Sequence, residues 1–370
     1  MSKSNNDRTV DSSLIIAPRG PAAYQTPDFP PPLSRYARMD DPAFDVGGGV
    51  ALITGANQGL GFELAKRIAH MPRVFKVVLA CRNEQRANEA REKLQGLFAD
   101  KSFEVVVMLV DTEDTTSCRD FGAKWTATVN APVDLFLMNA GGMGGRDASD
   151  IMQPSGSTRI FAMNVLGHAE MFDALSRANM LSPKCKVVYV GSETAVGMGP
   201  FPKPDLRDAD NIAAHISNTY NDPTGNTAIK WIGPGNMGQS GYGTCKAIAA
   251  LYFSALARRH PSMKILTVSP GGTRGTNAHA KSGWFFGNLI PFMMVVFGVG
   301  HPLAKGAERL QYGFFVDEDP YVSGAFVASK AIAPPVGKCV DYRSFKKTEN
   351  VFGDEKLQDA AYEAVRRFMR

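Results

Sequence analysis

The chain has 370 residues, 44% hydrophobic and 21% charged, an ordinary globular composition with ample material for the core of one main domain plus extensions. Forty-one basic against 36 acidic residues leave a formal charge of +5, mild for this length, and no basic cluster is interleaved with aromatics, which argues against a nucleic-acid partner. Five cysteines, Cys81, Cys118, Cys185, Cys245 and Cys339, are scattered without Cys-x-x-Cys or His-rich spacing, so they fit a reducing compartment and offer no metal site.

Residues 1–47 carry Pro-Pro-Pro at 30–32, many small polar residues and no apolar run beyond Leu14-Ile-Ile16. They lack the apolar segment of a secretory signal, and Asp7, Asp11, Asp40 and Asp41 argue against a transit peptide. The expectation is an irregular extension on the surface of a cytoplasmic or organelle-soluble protein.

The first element is a short apolar run, Val50-Ala-Leu-Ile53, that needs no polar face and so reads as a buried parallel strand. It breaks into Thr54-Gly-Ala-Asn-Gln-Gly-Leu-Gly61 and then into a helical pattern ending before Pro72. Strand, glycine turn and helix together make a phosphate cradle: Gly55 permits the turn, Gly59 admits a pyrophosphate, and Gly61 lets the helix pack on the strand. Backbone N–H groups at Asn57, Gln58, Gly59 and Leu60 then face the anion at the helix start. A glycine turn of this kind is weak on its own and gains weight from the motifs farther along the chain.

The second strand, Lys76-Val-Val-Leu-Ala-Cys81, ends in Arg82 where NAD users place a carboxylate. With a cation there instead, able to pair bidentately with a 2′-phosphate, the chain favours NADP(H), although Arg82 also reads simply as a surface residue at a strand end. Asn83 caps a helix with Ala87, Ala90, Leu94 and Leu97 at helical spacing. A third strand, 103–110, delivers Asp111 and Thr112 to the adenine side, or Asp111 as a cap for the next helix, 115–129. The fourth strand, Val133-Asp-Leu-Phe-Leu-Met138, runs into Asn139-Ala-Gly-Gly142. Strands alternating with helices over short connections predict a doubly wound, Rossmann-type α/β domain with a parallel sheet of about seven strands.

A long helix over 157–180 carries Asn164 on its apolar face, where a polar side chain needs a partner. The fifth strand, 185–190, delivers Gly191-Ser192, and Ser192 reads as a helix cap or as a group that polarises a carbonyl oxygen. From 197 to 240 the periodicity is lost, an insertion expected to shape substrate entry. Tyr242 and Lys246, four apart, share one helix face, so that the ammonium is expected to lower the pKa of the phenol. Cys245 between them reads as packing, since no histidine lies nearby in sequence to activate it. The sixth strand opens into Pro270-Gly-Gly-Thr273, and the eighteen residues from Gly283 to Gly300 carry no charge. That run is broken by Asn288, Pro291 and four glycines and is short for a membrane span. A helix over 304–315, a seventh strand over 321–329 and a tail helix after Asp354 complete the chain.

In this order the motifs resemble the short-chain dehydrogenase/reductase family. Thr54-Gly-Ala-Asn-Gln-Gly-Leu-Gly61 is similar to the family's TGxxxGxG and Asn139-Ala-Gly141 to its NAG; Asn164-Val-Leu-Gly167, Gly191-Ser192, Tyr242-Gly-Thr-Cys-Lys246 and Pro270-Gly271 come next in sequence. The likeness covers roughly 48–330 and implies one domain over 48–345, an N-terminal extension over 1–47 and a helical tail over 346–370. It also implies a substrate lid over 275–303, whose greasy 283–300 suits a lipophilic substrate or peripheral contact with a bilayer surface.

By that resemblance Asn164, Ser192, Tyr242 and Lys246 are the catalytic set. Ser192 holds the substrate oxygen, Tyr242 donates the proton, Lys246 tunes Tyr242 and binds the nicotinamide ribose, and Asn164 holds a water leading a proton path to the lysine. Gly55, Asn57, Gln58, Gly59, Leu60, Gly61, Arg82, Asp111, Thr112, Asn139, Ala140, Gly141, Tyr242, Lys246, Pro270, Gly271 and Thr273 hold NADP(H), and no metal is implied. Within the family, Ala80-Cys-Arg82, Asn164-Val-Leu-Gly-His168 and the long insertion resemble the branch of retinol dehydrogenases and light-dependent protochlorophyllide reductases. The cysteines that pattern carries after Pro-Gly and two past the lysine are Gly272 and Ile248 here, which weakens a pigment-reducing role. The expected activity is NADPH-dependent reduction of a carbonyl or conjugated double bond of a hydrophobic small molecule. The other readings are a pigment reductase and a non-catalytic NADP(H)-binding regulator.

Overall fold

Among the described residues, eight strands form one sheet: β1 (Val50–Thr54), β2 (Lys76–Cys81), β3 (Glu104–Leu109), β4 (Val133–Met138), β5 (Leu181–Val190), β6 (Lys264–Val268), β7 (Phe326–Ser329) and β8 (Cys339–Asp341), in the spatial order β3-β2-β1-β4-β5-β6-β7-β8. This computed structural model describes residues 49–71, 73–99, 103–143, 151–197, 203–220, 241–273, 300–312, 321–330, 339–345 and 351–369. The first seven strands pair in parallel and β8 closes the edge antiparallel to β7. The eighth strand has three residues, too few for a periodic signal, which is why the sequence reads as about seven. The seventh begins at Phe326, five residues later than its apolar pattern suggests, because residues 323–324 turn first.

Side chains of β1 alternate between two cores, Val50 and Leu52 facing one and Ala51 and Ile53 the other, so the strand is buried on both faces. One face is covered by α1 (Gly59–Ala69) and α2 (Glu84–Leu97) through Leu64, Ile68 and Leu94. The other is covered by α3 (Thr115–Arg119), α4 (Phe121–Thr128), α5 (Gly167–Arg177) and α7 (Tyr242–Arg259), where Phe121, Trp125, Phe172 and Phe253 are fully buried. The single helix expected over 115–129 is two, with Asp120 at the join.

The helix expected over 157–180 departs more. It runs as a short turn at Arg159–Phe161, a π turn at Ala162–Leu166 containing Asn164, and then α5. Apolar spacing does not distinguish a π turn from α-helix over five residues.

The insertion contains α6 (Ala209–Ile216), capped by the Asp208 carboxylate, which accepts the Asn211 N–H at 2.8 Å. Most of α7 is buried on every side, so it has no polar face and a weak helical periodicity. Its outer side lies under α9 (Glu355–Arg367), where Tyr362 stacks on Tyr252 at 5.4 Å and Arg258 and Arg259 both pair with Asp359. The remaining helix, α8 (Leu303–Tyr312), packs against α1. Among the described residues no helix is long and apolar enough to cross a membrane. Residues 1–47, 221–240 and 283–299, and with them most of the expected lid, lie outside the described residues.

Candidate active site

The site lies along the carboxyl ends of the strands, where an open α/β sheet leaves room for ligand. Its first half is built from backbone. Gly59 takes φ +57° at the start of α1, and a Cβ placed there would meet nothing within 4 Å, so the space in front of the helix is open. Gly61 answers the opposite constraint: a Cβ would fall 2.4 Å from the Gly55 carbonyl oxygen and 2.6 Å from Asn139 Nδ2. The Asn139 side chain is spent on the turn itself, donating to the Thr54 carbonyl at 2.9 Å and to that of Gly55 at 3.3 Å. Thr54 Oγ1 in turn accepts the N–H groups of Asn139 and Ala140 at 2.8 and 2.9 Å. Cys81 at the end of β2 joins this bracing: the backbone of Ala56 and Asn57 bonds its sulfur, while burial pushes the thiol up to about 11.

Arg82 projects into solvent, 55% exposed, within long ion-pair range of Asp111 (3.6 Å) and Glu113 (3.7 Å). Pairs of that length and exposure are weak, so the guanidinium stays available to a stronger anion. Asp111 does not cap α3, a task that falls to Asp114; it accepts the Glu113 N–H at 3.1 Å and tightens the turn after β3. Thr112 is buried, and its carbonyl lies so close to Gly167 that a Cβ there would approach to 2.1 Å.

The second half is built from side chains. Ser192 follows β5 and caps a short turn at Glu193–Val196, its hydroxyl accepting from Thr194 N–H at 3.3 Å and from Thr194 Oγ1 at 2.9 Å. A hydrogen bond from Ser192 also draws the Tyr242 phenol downward, although burial is the larger influence and leaves the phenol above its ordinary range. Of the two roles considered for Ser192, the cap is the one these contacts make, and the hydroxyl also meets the Tyr242 phenol. Lys246 Nζ lies 5.5 Å from the centre of the Tyr242 ring, one helical turn along. Burial lowers Lys246 to about 7, so at neutral pH it is only partly charged, and it is not what sets the Tyr242 value. The ammonium effect expected from spacing alone is outweighed by desolvation. Cys245 is buried and pushed to about 12, an inert packing thiol as expected.

Asn164 is fully buried, and its amide is satisfied by backbone: Nδ2 donates to the carbonyls of Gly142 (2.9 Å) and Ile160 (2.8 Å), and Oδ1 accepts the Gly142 N–H at 3.1 Å. The side chain thus pins the loop after β4 to the π turn that carries it. Gly141 backs directly onto it, φ +146°, with no room for a Cβ. At the far side Thr273 donates to the carbonyls of Pro270 (3.1 Å) and Gly271 (3.2 Å), closing the loop after β6.

Three buried polar residues escape a sequence reading. Tyr189 and His168 sit in apolar runs and look like core aromatics; their hydroxyl and ring nitrogens contact Lys246, Asn164 and Thr54. Glu193, next to Ser192, is 3% exposed and accepts from Ser269 Oγ at 2.5 Å and Ser329 Oγ at 2.8 Å, with Arg309 of α8 at 3.8 Å. It ties the end of β5 to the loop after β6 and to β7. The one available signal is the rule that a charged residue in a buried setting needs partners, and burial is not visible at a strand end.

A family model described as short chain dehydrogenase matches residues 49–202. Among curated proteins, the WW domain-containing oxidoreductase of Gallus gallus is 33% identical over 150 residues, covering 40% of this chain and 34% of its own. The 3-keto-steroid reductase erg27 of Schizosaccharomyces pombe is 28% identical over 184 residues (39% and 53%), and (+)-neomenthol dehydrogenase of Arabidopsis thaliana 26% identical over 257 (63% and 85%). The chain spans about a third to just over half of the length of the first of these relatives. Among solved structures, a short chain dehydrogenase from Burkholderia cenocepacia in complex with NADP has TM-score 0.50 at 17% identity (74% and 93% covered). L-sorbose reductase of Gluconobacter frateurii with NADPH and L-sorbose has TM-score 0.51 at 15% (75% and 93%). At such identities the likeness is one of fold.

Proposed function

Because the chain belongs to the short-chain dehydrogenase/reductase family, we propose that it is an NADPH-dependent reductase acting on a carbonyl or conjugated double bond of a hydrophobic small molecule, with Tyr242 as proton donor. The observation that carries this reading is the meeting of Ser192, Tyr242 and Lys246, drawn from β5 and α7: the serine hydrogen-bonds the phenol and the amine lies under the same ring.

The cofactor fits the residues present. The open space before α1 at Gly59, which a side chain would fill, accepts a pyrophosphate on the helix N–H groups, and Arg82 suits a 2′-phosphate. When bound, the nicotinamide supplies a hydride. Ser192 holds the substrate oxygen by a hydrogen bond, polarising the carbonyl. Tyr242 hands its phenolic proton to that oxygen as negative charge develops there. Lys246 stabilises the resulting phenolate; the negative charge on Tyr242 and on the cofactor would hold the lysine protonated. Asn164 keeps the Gly141–Gly142 loop in place. Support for a hydrophobic substrate comes from the names of the relatives, a 3-keto-steroid reductase and a (+)-neomenthol dehydrogenase, and from the uncharged run 283–300.

The test is NADPH oxidation by the purified full chain against lipophilic ketones, aldehydes and enones, in darkness and under light. Turnover in darkness is expected. Turnover only under light would favour the pigment-reducing reading, and tight NADPH binding without turnover would favour a regulator.

A further inference from the structure

Lys246 Nζ donates to the Val190 carbonyl at 2.8 Å and to the Tyr189 hydroxyl at 3.0 Å. The Tyr189 hydroxyl donates onward to the Asn164 carbonyl at 2.9 Å. The same carbonyl lies 3.1 Å from His168 Nδ1, whose other nitrogen, Nε2, is 3.0 Å from Thr54 Oγ1. A single tautomer satisfies all of these contacts: Nδ1 carries the proton and donates to Asn164, and Nε2 accepts the Thr54 hydroxyl. His168 is fully buried and burial lowers it to about 4, so it is neutral and keeps that tautomer.

This arrangement is a chain of hydrogen bonds with a definite end. Tyr189 is fully buried and its phenol is held well above the ordinary range, so it stays protonated, accepting from the lysine and donating to Asn164. A peptide carbonyl has no proton to pass on, and this one has both its lone pairs engaged. The tyrosine is itself fixed, stacked on Phe253 at 4.6 Å and edge-on to His168 at 5.9 Å.

We propose that Tyr189 is the positioning residue of Lys246: its hydroxyl takes the place between the lysine and the Asn164 carbonyl that family resemblance gives to a water, holds the amine directly, and ends the polar chain there, so that no proton reaches solvent through Asn164. The inference deepens the reductase reading and rests on it for its catalytic meaning, but the contact it concerns is testable without turnover. The titratable groups facing the amine are Tyr189 from β5, Tyr242 and Cys245 from its own helix, and His168 from α5; all four are neutral at pH 7, so a shift in the lysine's titration reports the hydroxyl and not a neighbouring charge.

The experiment labels lysine Cε and tyrosine Cζ with carbon-13 in the full chain and follows both by NMR. In Tyr189→Phe the ammonium loses an acceptor while the ring stack is kept, so the Lys246 midpoint, assigned by its absence in Lys246→Met, falls by about one pH unit. In Phe253→Leu, which loosens the stack and keeps the hydroxyl, the midpoint stays. Should Tyr189→Phe not fold, the wild-type chain still decides: in mixed light and heavy water a hydroxyl donating to a buried carbonyl exchanges slowly and splits its Cζ signal, whereas one exchanging through water gives a single averaged line. An unmoved midpoint in a folded Tyr189→Phe, or an averaged Tyr189 line, overturns the proposal. Either result leaves the reductase reading intact if NADPH is oxidised, and a chain inactive against every substrate still returns both NMR readings.

Discussion

The two halves of the site are made by different means. Around β1, β2 and α1 the candidate site is mostly backbone, glycines and helix N–H groups beside the single exposed side chain of Arg82, with Asn139, Thr54 and Cys81 bracing the turn from behind. Around β5 and α7 it is side chains held by other buried side chains, with Tyr189, His168 and Glu193 behind Lys246, Asn164 and Ser192. A backbone site is specified by where side chains must be missing, and a side-chain site by partners distant in sequence. The first should fail on the addition of one carbon, the second on the loss of one polar atom.

The largest effect is expected on the backbone half. Gly61→Val places a branched side chain against the Gly55 carbonyl, which cannot move without opening the turn; loss of measurable NADPH binding and a clearly lowered melting temperature are expected, read by fluorescence titration and calorimetry. A variant that binds NADPH normally would show that the turn is not the cradle. On the other half, Glu193→Gln removes the charge opposite buried Arg309 and disturbs its bonds to Ser269 and Ser329, at a cost of about 3–5 kcal/mol in urea unfolding.

What is legible in the sequence divides in the same way. The turn at 54–61, the alternation of strands and helices that it starts and the pair Tyr242 and Lys246 are local patterns, and the expected fold appears with an additional antiparallel edge. The π turn at Asn164 and the bonds of Tyr189 are not legible, because five residues of helix look alike whichever carbonyl is used and a tyrosine in an apolar strand looks like packing. The pKa balance at Tyr242 runs against the sequence expectation for a related reason: spacing on a helix shows which charges are near, while desolvation depends on everything packed around them.

Smaller effects sharpen the contrast. Arg82→Ala should weaken NADPH binding by about tenfold or more and leave NADH binding nearly unchanged, since only the 2′-phosphate separates them. Stability should also carry the signature of Lys246. Its folded value is about 7 against 10.5 in an ordinary lysine, so from pH 7 upward the unfolded chain binds more protons, and stability rises with pH. Below pH 7 both states are protonated and the penalty is complete. The clean window closes near pH 9, where thiols raised by burial, such as Cys245 and Cys339, begin to tilt stability the other way. Lys246→Met should flatten the rise between pH 7 and 9. The smallest change, Asn83→Ala at the cap of α2, should cost about 1 kcal/mol and leave NADPH affinity and turnover untouched.

The central claim is that Tyr242 gives the proton. With a substrate in hand, the Tyr242→Phe chain should bind NADPH with wild-type affinity while kcat falls by about 10²–10⁴-fold. Turnover at the wild-type rate, with that phenol gone, would contradict the account.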